Sequence, residues 1–313
     1  MEGKMSIKNL RLKDLVILVM PALIALVVLN CGTEAPEPSF RFVFMTDIHV
    51  QPENKADEGF KTAIAKVNEL KPDFVITGGD LIMDALGQNS ERATMLYDMY
   101  LEICKDFEMP VYQTIGNHEV FGLYEESGVQ PDHPDYGKKI YMKRMNVEKT
   151  YSSFDYKNWH FILLDVIGFT SERKYIGEID SLQIEWLKND LAQVDKQTPI
   201  VVSTHIPFVS VADQMRSGGT AALSPGAVIA KSNEILALFS DHNLKLVLQG
   251  HLHIVEEIIF KDTHFITGGA VSGKWWHGPR AGFPEGFVVL DVYENDFDWY
   301  YQTFGWQAVV DEE

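Results

Sequence analysis

Short apolar runs and amphipathic stretches alternate along the chain between residues 40 and 248. The apolar runs have the length of buried strands. The stretches between them repeat apolar residues at helical spacing, as Phe60, Ile64 and Val67 do. The pattern predicts strands at 40–46, 74–77, 111–115, 159–164, 200–204 and 244–248, and helices at 58–70, 91–107 and 182–194. Strands that alternate with helices predict an α/β fold with much parallel pairing.

The pattern changes after residue 253, where strand-like runs follow one another without a helix between them. They lie at 254–260, 263–267, 286–292 and 297–303. Successive strands are typical of antiparallel pairing, so we expect a meander that completes a second sheet. Two stretches, 121–150 and 207–229, carry neither pattern and are predicted to be long loops, which are often functional in compact domains.

The first 31 residues resemble a bacterial lipoprotein signal. Basic residues precede an apolar run at 15–29, and Cys31 follows it closely. The run is shorter than the roughly 20 residues that a membrane-spanning helix needs. We therefore predict a signal peptide of lipoprotein type at 1–31 with a possible lipid on Cys31, although Asn30 stands where such signals carry Gly, Ala or Ser. The alternative is an uncleaved anchor helix.

The rest of the chain divides at residue 40. Residues 32–39 include Pro36 and Pro38 between acidic residues and are predicted to form a polar tether. Residues 40–313 are predicted to form a single domain. Together with the signal, this organisation predicts an exported protein in the periplasm or at the cell surface, tethered to a bacterial envelope through its N-terminus.

Composition narrows the function classes. The chain carries 27 Lys and Arg against 45 Asp and Glu, a net charge of −18. Nucleic-acid backbones are bound by clustered positive charge, so no general nucleic-acid binding is expected. Cys31 and Cys104 are too few for a disulfide framework. Cys104 is predicted to be a buried structural thiol.

Polar motifs directly follow five of the predicted strands. They are Asp47-Ile48-His49, Gly79-Asp80, Gly116-Asn117-His118-Glu119, His205 and Gly250-His251-Leu252-His253. In α/β folds the carboxyl ends of strands open a crevice in which ligands bind. We therefore expect motifs that are distant in sequence to converge in space. Their carboxylate, amide and imidazole groups favour Zn, Fe or Mn over Ca or Mg.

The five motifs, in this order, resemble those of the calcineurin-like metallophosphoesterases over residues 40–305. The resemblance implies a four-layer α/β/β/α sandwich of two mixed sheets, with two metal ions drawn from Mn, Fe or Zn at the mouth between the sheets. It implies one ion held by Asp47, His49, Asp80 and His253, and a second held by Asp80, Asn117, His205 and His251. Within the family, the chain is most similar to the bacterial cyclic-nucleotide phosphodiesterase-related group.

The resemblance also assigns roles in catalysis. Asp80 and a hydroxide would bridge the two ions, which clamp the phosphoryl group. His118 would stabilise that group and protonate the leaving oxygen, as imidazole can. Whether Asp84 supports His118, and whether Glu119 orients anything, stays open. Related purple acid phosphatases place an iron-binding tyrosine where this chain has Met83, which argues against a tyrosinate centre.

Histidines outside the motifs are interpreted separately. His133, His160, His242 and His264 are predicted to be structural. His277 lies in a segment with Trp275, Trp276 and Arg280, which could form one wall of a substrate pocket by stacking on a base or sugar. A loop that packs into the core is the alternative.

Three functional hypotheses follow. The first is an exported phosphodiesterase or phosphomonoesterase that acts on a small phosphoester substrate. The second is an envelope enzyme that acts on lipid-linked or glycan phosphates. The third is a non-catalytic surface binding protein with the same fold; against it, all seven metal-ligand positions and His118 carry residue types that can do the chemistry. No protein partner is predicted.

Overall fold

The computed structural model describes residues 37–308. The strands are β1 (Phe40–Met45), β2 (Phe74–Gly78), β3 (Val111–Thr114), β4 (Ser152–Tyr156), β5 (Trp159–Leu163), β6 (Ile167–Phe169), β7 (Tyr175–Gly177), β8 (Pro199–Ser203), β9 (Asn243–Gln249), β10 (Val255–Phe260), β11 (Thr263–Gly268), β12 (Gly286–Val292) and β13 (Phe297–Thr303). The helices are α1 (Ala56–Leu70), α2 (Ser90–Ile103), α3 (Lys139–Met145), α4 (Ser181–Leu191), α5 (Ala212–Ser217) and α6 (Ser232–Ala237).

Two mixed sheets organise these elements. The first has the order β13-β12-β1-β2-β3, in which β1, β2 and β3 are parallel. The second has the order β10-β11-β9-β8-β5-β4, in which β5, β8, β9 and β11 are parallel. The carboxyl ends of the parallel strands carry the polar motifs, so the sheet pairing itself gathers the motifs at one end of each sheet.

The two sheets face each other across an aromatic core. Phe42 stacks on its strand neighbour Phe74 with ring centres 5.1 Å apart, and Phe161 from the second sheet meets Phe74 edge-on at 5.3 Å. Burial of such rings contributes about 2 kcal/mol each to folding. Helices α1 and α2 cover the outer face of the first sheet, and α4 and α6 cover that of the second. The four-layer α/β/β/α architecture is confirmed.

Local sequence sets several helix ends. The Asn89 side chain accepts a hydrogen bond from the Arg92 amide at 2.9 Å and begins α2, and Asp180 caps α4 through the Gln183 amide at 2.8 Å. Helix α1 ends at Leu70, before Pro72, as the sequence predicts. The two later predicted helices end early, at Ile103 and Leu191.

The predicted C-terminal meander is wrong. Strands β10 and β11 extend the second sheet, whereas β12 and β13 join the first, where β12 pairs antiparallel with β1. Every residue of β12 but Asp291 is buried, so this strand needs cover on both faces. Beside β1, Val288 and Leu290 pack into the core between the sheets, and Phe287 and Val289 pack into the core beneath the helices. The connection after β11 therefore crosses from one sheet to the other.

The two predicted long loops contain short helices, α3 in the first and α5 in the second. Strands β4, β6 and β7 were not predicted; β6 and β7 form a separate two-stranded sheet. The signal peptide, the lipid on Cys31 and the tether as far as Pro36 lie outside the described residues, as do residues 309–313. Within residues 37–308, no helix is both long and apolar enough to cross a membrane.

Candidate metal centre

The ends of five strands deliver the predicted metal ligands to one place. Asp47 and His49 follow β1, Asp80 follows β2, Asn117 follows β3, His205 follows β8, and His251 and His253 follow β9. Five of these residues adopt the left-handed backbone conformation that non-glycine residues rarely take: Asp47, His49, Asp80, His251 and His253. Such strain persists where surrounding structure fixes it, and it is concentrated at functional sites.

A first ligand group consists of Asp47, His49 and His253. All three side chains are buried, and their ligand atoms lie within 4.8 Å of one another. His253 Nε2 is 3.1 Å from Asp47 Oδ1 and 3.1 Å from His49 Nε2. Asp47 is held in place by the Thr46 hydroxyl at 2.7 Å and by the His251 amide at 2.9 Å.

A second ligand group consists of Asp80, Asn117, His205 and His251. His205 Nε2 lies 3.1 Å from Asp80 Oδ2, 3.1 Å from Asn117 Oδ1 and 3.2 Å from His251 Nδ1. The same Asp80 oxygen is 3.7 Å from His49 Nε2 of the first group. The other Asp80 oxygen accepts the His118 amide at 2.9 Å. Asp80 therefore lies between the two groups with one oxygen available to both.

The hydrogen-bonding state of the histidines fits cations. His253 Nδ1 donates to the Gly273 carbonyl at 2.5 Å, and His205 Nδ1 donates to the Gly78 carbonyl at 2.9 Å. In a neutral ring this donation leaves the Nε2 lone pair facing the site, which is the tautomer that a metal-binding histidine adopts when a carbonyl accepts from its other nitrogen. The His253 Nε2 lone pair lies 3.1 Å from His49 Nε2, where it can accept a hydrogen bond from the His49 ring or bind a cation that takes the place of that proton.

Electrostatics support the same interpretation. Burial lowers the pKa of His49 to about 4 and that of His251 to about 3, so both rings are neutral at pH 7. Burial opposes ionisation of Asp47 and Asp80, but the neighbouring histidines hold the pKa of both well below its usual value. Burial also disfavours charge on His205, yet Asp80 outweighs it and raises the His205 pKa to about 9. A proton there occupies the position that a metal ion would take.

His118 borders both groups but is more open. Its Nε2 lies 3.7 Å from Asp80 Oδ2, and 21% of its side chain is exposed, against 3% or less for Asp47, His49, His205 and His253. Its Nδ1 hydrogen-bonds to the Met83 carbonyl, and the Asp84 carboxylate is 3.8 Å away. The backbone of Met83, rather than Asp84, orients the ring.

The sequence model described as calcineurin-like phosphoesterase matches residues 40–255. The chain belongs to this family. That span includes β1 to β9 and every residue of both ligand groups.

Two curated proteins that are similar to this chain share just under a quarter of the aligned residues with it. Purple acid phosphatase 22 of Arabidopsis thaliana is 22% identical over 72% of this chain and 49% of its own length. The 3',5'-cyclic adenosine monophosphate phosphodiesterase CpdA of Escherichia coli is 23% identical over 58% of this chain and 54% of its own. The chain thus spans about half the length of these relatives.

Solved structures show the same fold. A dimetal phosphatase from Danio rerio superposes with a TM-score of 0.62 at 15% identity, covering 86% of this chain and 97% of that one. A purple acid phosphatase from yellow lupin seeds superposes with a TM-score of 0.53 at 16% identity, covering 88% of this chain and 53% of that one. Family membership and fold therefore agree with the geometry of the site.

Glu119 has a role that the sequence did not reveal. Its buried carboxylate accepts hydrogen bonds from the backbone amides of Gly116, Asp80, Leu81 and Ile82, at 2.7 to 3.2 Å. These amides belong to the loops that present Asp80 and Asn117. Burial, followed by the charge of Asp80, raises the pKa of Glu119 to about 7. The signal available in the sequence was the position of this acidic residue, at the end of the Gly116-Asn117-His118-Glu119 motif.

The structure separates the residues of the predicted substrate wall. Trp275 packs against His253 at 5.2 Å between ring centres, and the Arg280 guanidinium lies 4.5 Å above Trp275. Trp276 is 0% exposed and its indole N–H donates to the Ile48 carbonyl at 3.0 Å, so it belongs to the core and does not line a pocket. His277 is exposed and contacts Asn54. Neighbouring residues on this turn point opposite ways, which separates Trp275 from Trp276.

A cavity of about 430 Å³ opens beside His118. Tyr124 and Tyr175 line one side of it, together with Glu53, Asp84 and Glu126. The Tyr175 ring also meets the His251 ring edge-on at 5.9 Å. This cavity adjoins the second ligand group, whereas Trp275 and Arg280 adjoin the first.

Two histidines outside the motifs lie in strands of the second sheet. His160 lies in β5 and His264 in β11, each beside a carboxylate, as expected for structural residues. Cys104 is partly buried against the core of α1 and α2, and burial raises its pKa to about 12.

Proposed function

We propose that this protein is a dinuclear metallophosphoesterase that hydrolyses phosphodiesters or phosphomonoesters. The observation that carries the proposal is the position of Asp80, whose Oδ2 lies 3.1 Å from a ring nitrogen of one ligand group and 3.7 Å from one of the other. A carboxylate in that position can be shared by two ions. The donor set is suited to Mn, Fe or Zn.

The chain's own residues have separate tasks in this mechanism. When bound, the two ions would supply Lewis acidity and a shared hydroxide as the attacking group. The Met83 carbonyl fixes the His118 ring through Nδ1, which leaves Nε2 facing the site. From there Nε2 can give a proton to the leaving oxygen. Trp275 and Arg280 flank the substrate on the side of the first ligand group.

The activity can be tested on the full chain loaded with Mn²⁺. We expect hydrolysis of bis(4-nitrophenyl) phosphate, and a kcat that falls by about 10² to 10⁴ in His118→Asn because the general acid is lost. The metal content of that variant should match the wild type. His133→Asn, a loop histidine outside the site, is the matched control. Wild-type protein that carries both ions and hydrolyses neither this diester nor 4-nitrophenyl phosphate would refute the proposal.

Export is proposed from the layout of residues 1–31. A protein of this class at the bacterial envelope would act on phosphoesters outside the cytoplasm. Labelling of cells with radioactive palmitate should mark the wild type and leave Cys31→Ser unlabelled. Equal labelling of both, or of neither, would remove the lipid tether from the proposal.

A further inference from the structure

Arg280 is held close to the metal centre by aromatic contacts alone. Its guanidinium lies 4.5 Å above the Trp275 ring, and that ring packs against His253 at 5.2 Å and His49 at 6.2 Å. A single side chain therefore separates Arg280 from the first ligand group. Stacking on an aromatic face fixes the plane of a guanidinium while leaving its N–H groups free to donate.

Those N–H groups have no partner within residues 37–308. In that range, neither a carboxylate nor a carbonyl accepts a hydrogen bond from the Arg280 side chain. Arg280 is nonetheless half-buried. Burial, and after it the charge of Arg216, lowers the pKa of Arg280. The indole N–H of Trp275 is also buried without a partner. The buried Trp275 donor is costly unless a ligand or water accepts from it, whereas the Arg280 N–H groups are open to solvent and available to a ligand.

Arg216 lies on another segment, close enough to Arg280 for its charge to lower the Arg280 pKa. It lies on α5, which begins after Val211, and the Val211 amide donates to Glu256 at 2.9 Å. Glu256 is in β10, just after His253. Among the described residues, Arg216 forms an ion pair with Asp213 of its own helix, at 3.2 Å, and exposed pairs of this kind contribute little to stability. Arg216 thus adds a second positive charge in the neighbourhood of Arg280.

The opposite side of the site has the reverse charge. Glu53, Asp84 and Glu126 line the cavity beside His118, and its one arginine, Arg92, is paired with Glu53 at 2.6 Å. An additional anionic group would be repelled there. In the proposed mechanism His118 protonates the leaving oxygen, so the leaving group lies on this acidic side. An additional anion is therefore favoured on the other part of the substrate, the group that stays attached to phosphorus.

We propose that Arg280 and Arg216 form a subsite for a second oxyanion of the substrate, carried by the part that stays attached to the phosphorus. The inference rests on the proposed function, because it extends the same site. The favoured substrates are phosphoesters whose retained group bears another phosphate, phosphonate or carboxylate. Guanidinium groups suit such planar, bidentate recognition of oxyanions.

Two chromogenic diesters with the same leaving group test the proposal. One carries a 2-phosphonoethyl group and the other a 3,3-dimethylbutyl group, which has the same tetrahedral shape without charge; both release 4-nitrophenolate. For the Mn²⁺-loaded wild type we expect a kcat/KM about 10- to 100-fold higher for the phosphonate ester, the range that charged hydrogen bonds give.

Variants assign the preference to the two arginines. Arg280→Met should remove most of it, because it should lower kcat/KM for the phosphonate ester far more than kcat/KM for the dimethylbutyl ester. Arg216→Met should act in the same direction with a smaller effect. Lys261→Met removes one positive charge at the turn between β10 and β11, away from the site, and should preserve the preference.

Calorimetry of the loaded full chain gives a readout that does not depend on turnover. Propane-1,3-diphosphonate should bind more tightly than 4,4-dimethylpentylphosphonate, and Arg280→Met should abolish the difference. Equal rates on both diesters, or a preference that survives Arg280→Met, would overturn the subsite and leave the proposed function standing. If neither diester nor bis(4-nitrophenyl) phosphate is hydrolysed, the proposed function fails instead.

Discussion

Glu119 shows how one buried carboxylate can organise two metal-binding loops. Its oxygens accept four backbone amides, and the amides of Asp80 and Gly116 are among them, at 2.9 and 2.7 Å. A carboxylate is well suited to this position because it accepts hydrogen bonds at both oxygens. The backbone that carries Asp80 is therefore fixed before any metal ion binds.

Glu119→Gln tests this role. The amide nitrogen of glutamine would face backbone N–H groups, so buried donors lose their acceptor. We expect the free energy of unfolding to fall by about 1–3 kcal/mol in urea titrations of the full chain. Glu126→Gln, an exposed position, should change it by no more than about 0.5 kcal/mol. Equal stability of the wild type and Glu119→Gln would show that the four hydrogen bonds are dispensable.

Individual residues differ in how far the sequence reveals them. The seven predicted metal ligands lie together because strand ends are recognisable and the motifs follow them directly. Trp276 could not be separated from Trp275 in advance, because their opposite directions depend on a turn at which both have positive φ. The hydrogen bond from the Asp80 amide to Glu119 could not be predicted, because the two residues are thirty-nine positions apart in the sequence.

At the scale of elements, α1 is packed against the metal-site loops through Trp276. A β-carbon added to Gly59 would lie 2.2 Å from the Trp276 ring, so the helix approaches the indole as closely as glycine permits. The same indole donates to the Ile48 and His49 carbonyls. Through Trp276, the position of α1 is therefore coupled to the position of the His49 backbone.

For Gly59→Ala, helix propensity and core packing predict opposite changes in the free energy of unfolding. Helix propensity alone would stabilise the variant by about 1 kcal/mol. The contact with Trp276 predicts a net loss of about 1–3 kcal/mol instead, because overpacking forces side chains or backbone to shift. Urea unfolding measures the sign. In a Trp276→Leu background the same change should no longer destabilise, and a stabilising Gly59→Ala in the wild type would contradict the packing.

A second element-scale contact joins the β4–β5 hairpin to α4. His160 lies between Asp155, at 2.7 Å, and Asp190, at 2.9 Å. Burial lowers the pKa of His160, but the two carboxylates outweigh burial and raise it overall. The protonated ring is therefore the form that holds hairpin and helix together.

The raised pKa predicts a pH dependence of stability. Because the folded state binds the proton more tightly, His160 stabilises fully below about pH 6.5, the ordinary histidine pKa, and this contribution is lost as pH rises through the raised value. The stability difference between the wild type and His160→Gln should shrink between about pH 6 and pH 9. Urea titrations across that window measure it. A difference that stays constant would exclude the charged pair.

For the whole molecule, the layers could be predicted but not the distribution of strands. Apolar runs alternating with helices specify the parallel core of each sheet. They do not say which sheet edge an additional strand joins, and β12 and β13 were assigned to the wrong one. That choice depends on which edge is left open beside β1 after the chain has collapsed, a property of the assembled sheets.

The central claim is that the two ligand groups each hold an ion and share Asp80. Metal analysis of the full chain loaded with Mn²⁺ and freed of excess metal tests it most directly, with electron paramagnetic resonance to detect coupling within the pair. We expect about two ions per chain, magnetically coupled, as in two-metal sites. His251→Ala should retain about one ion without coupling. Wild-type protein that saturates at a single ion would contradict the account.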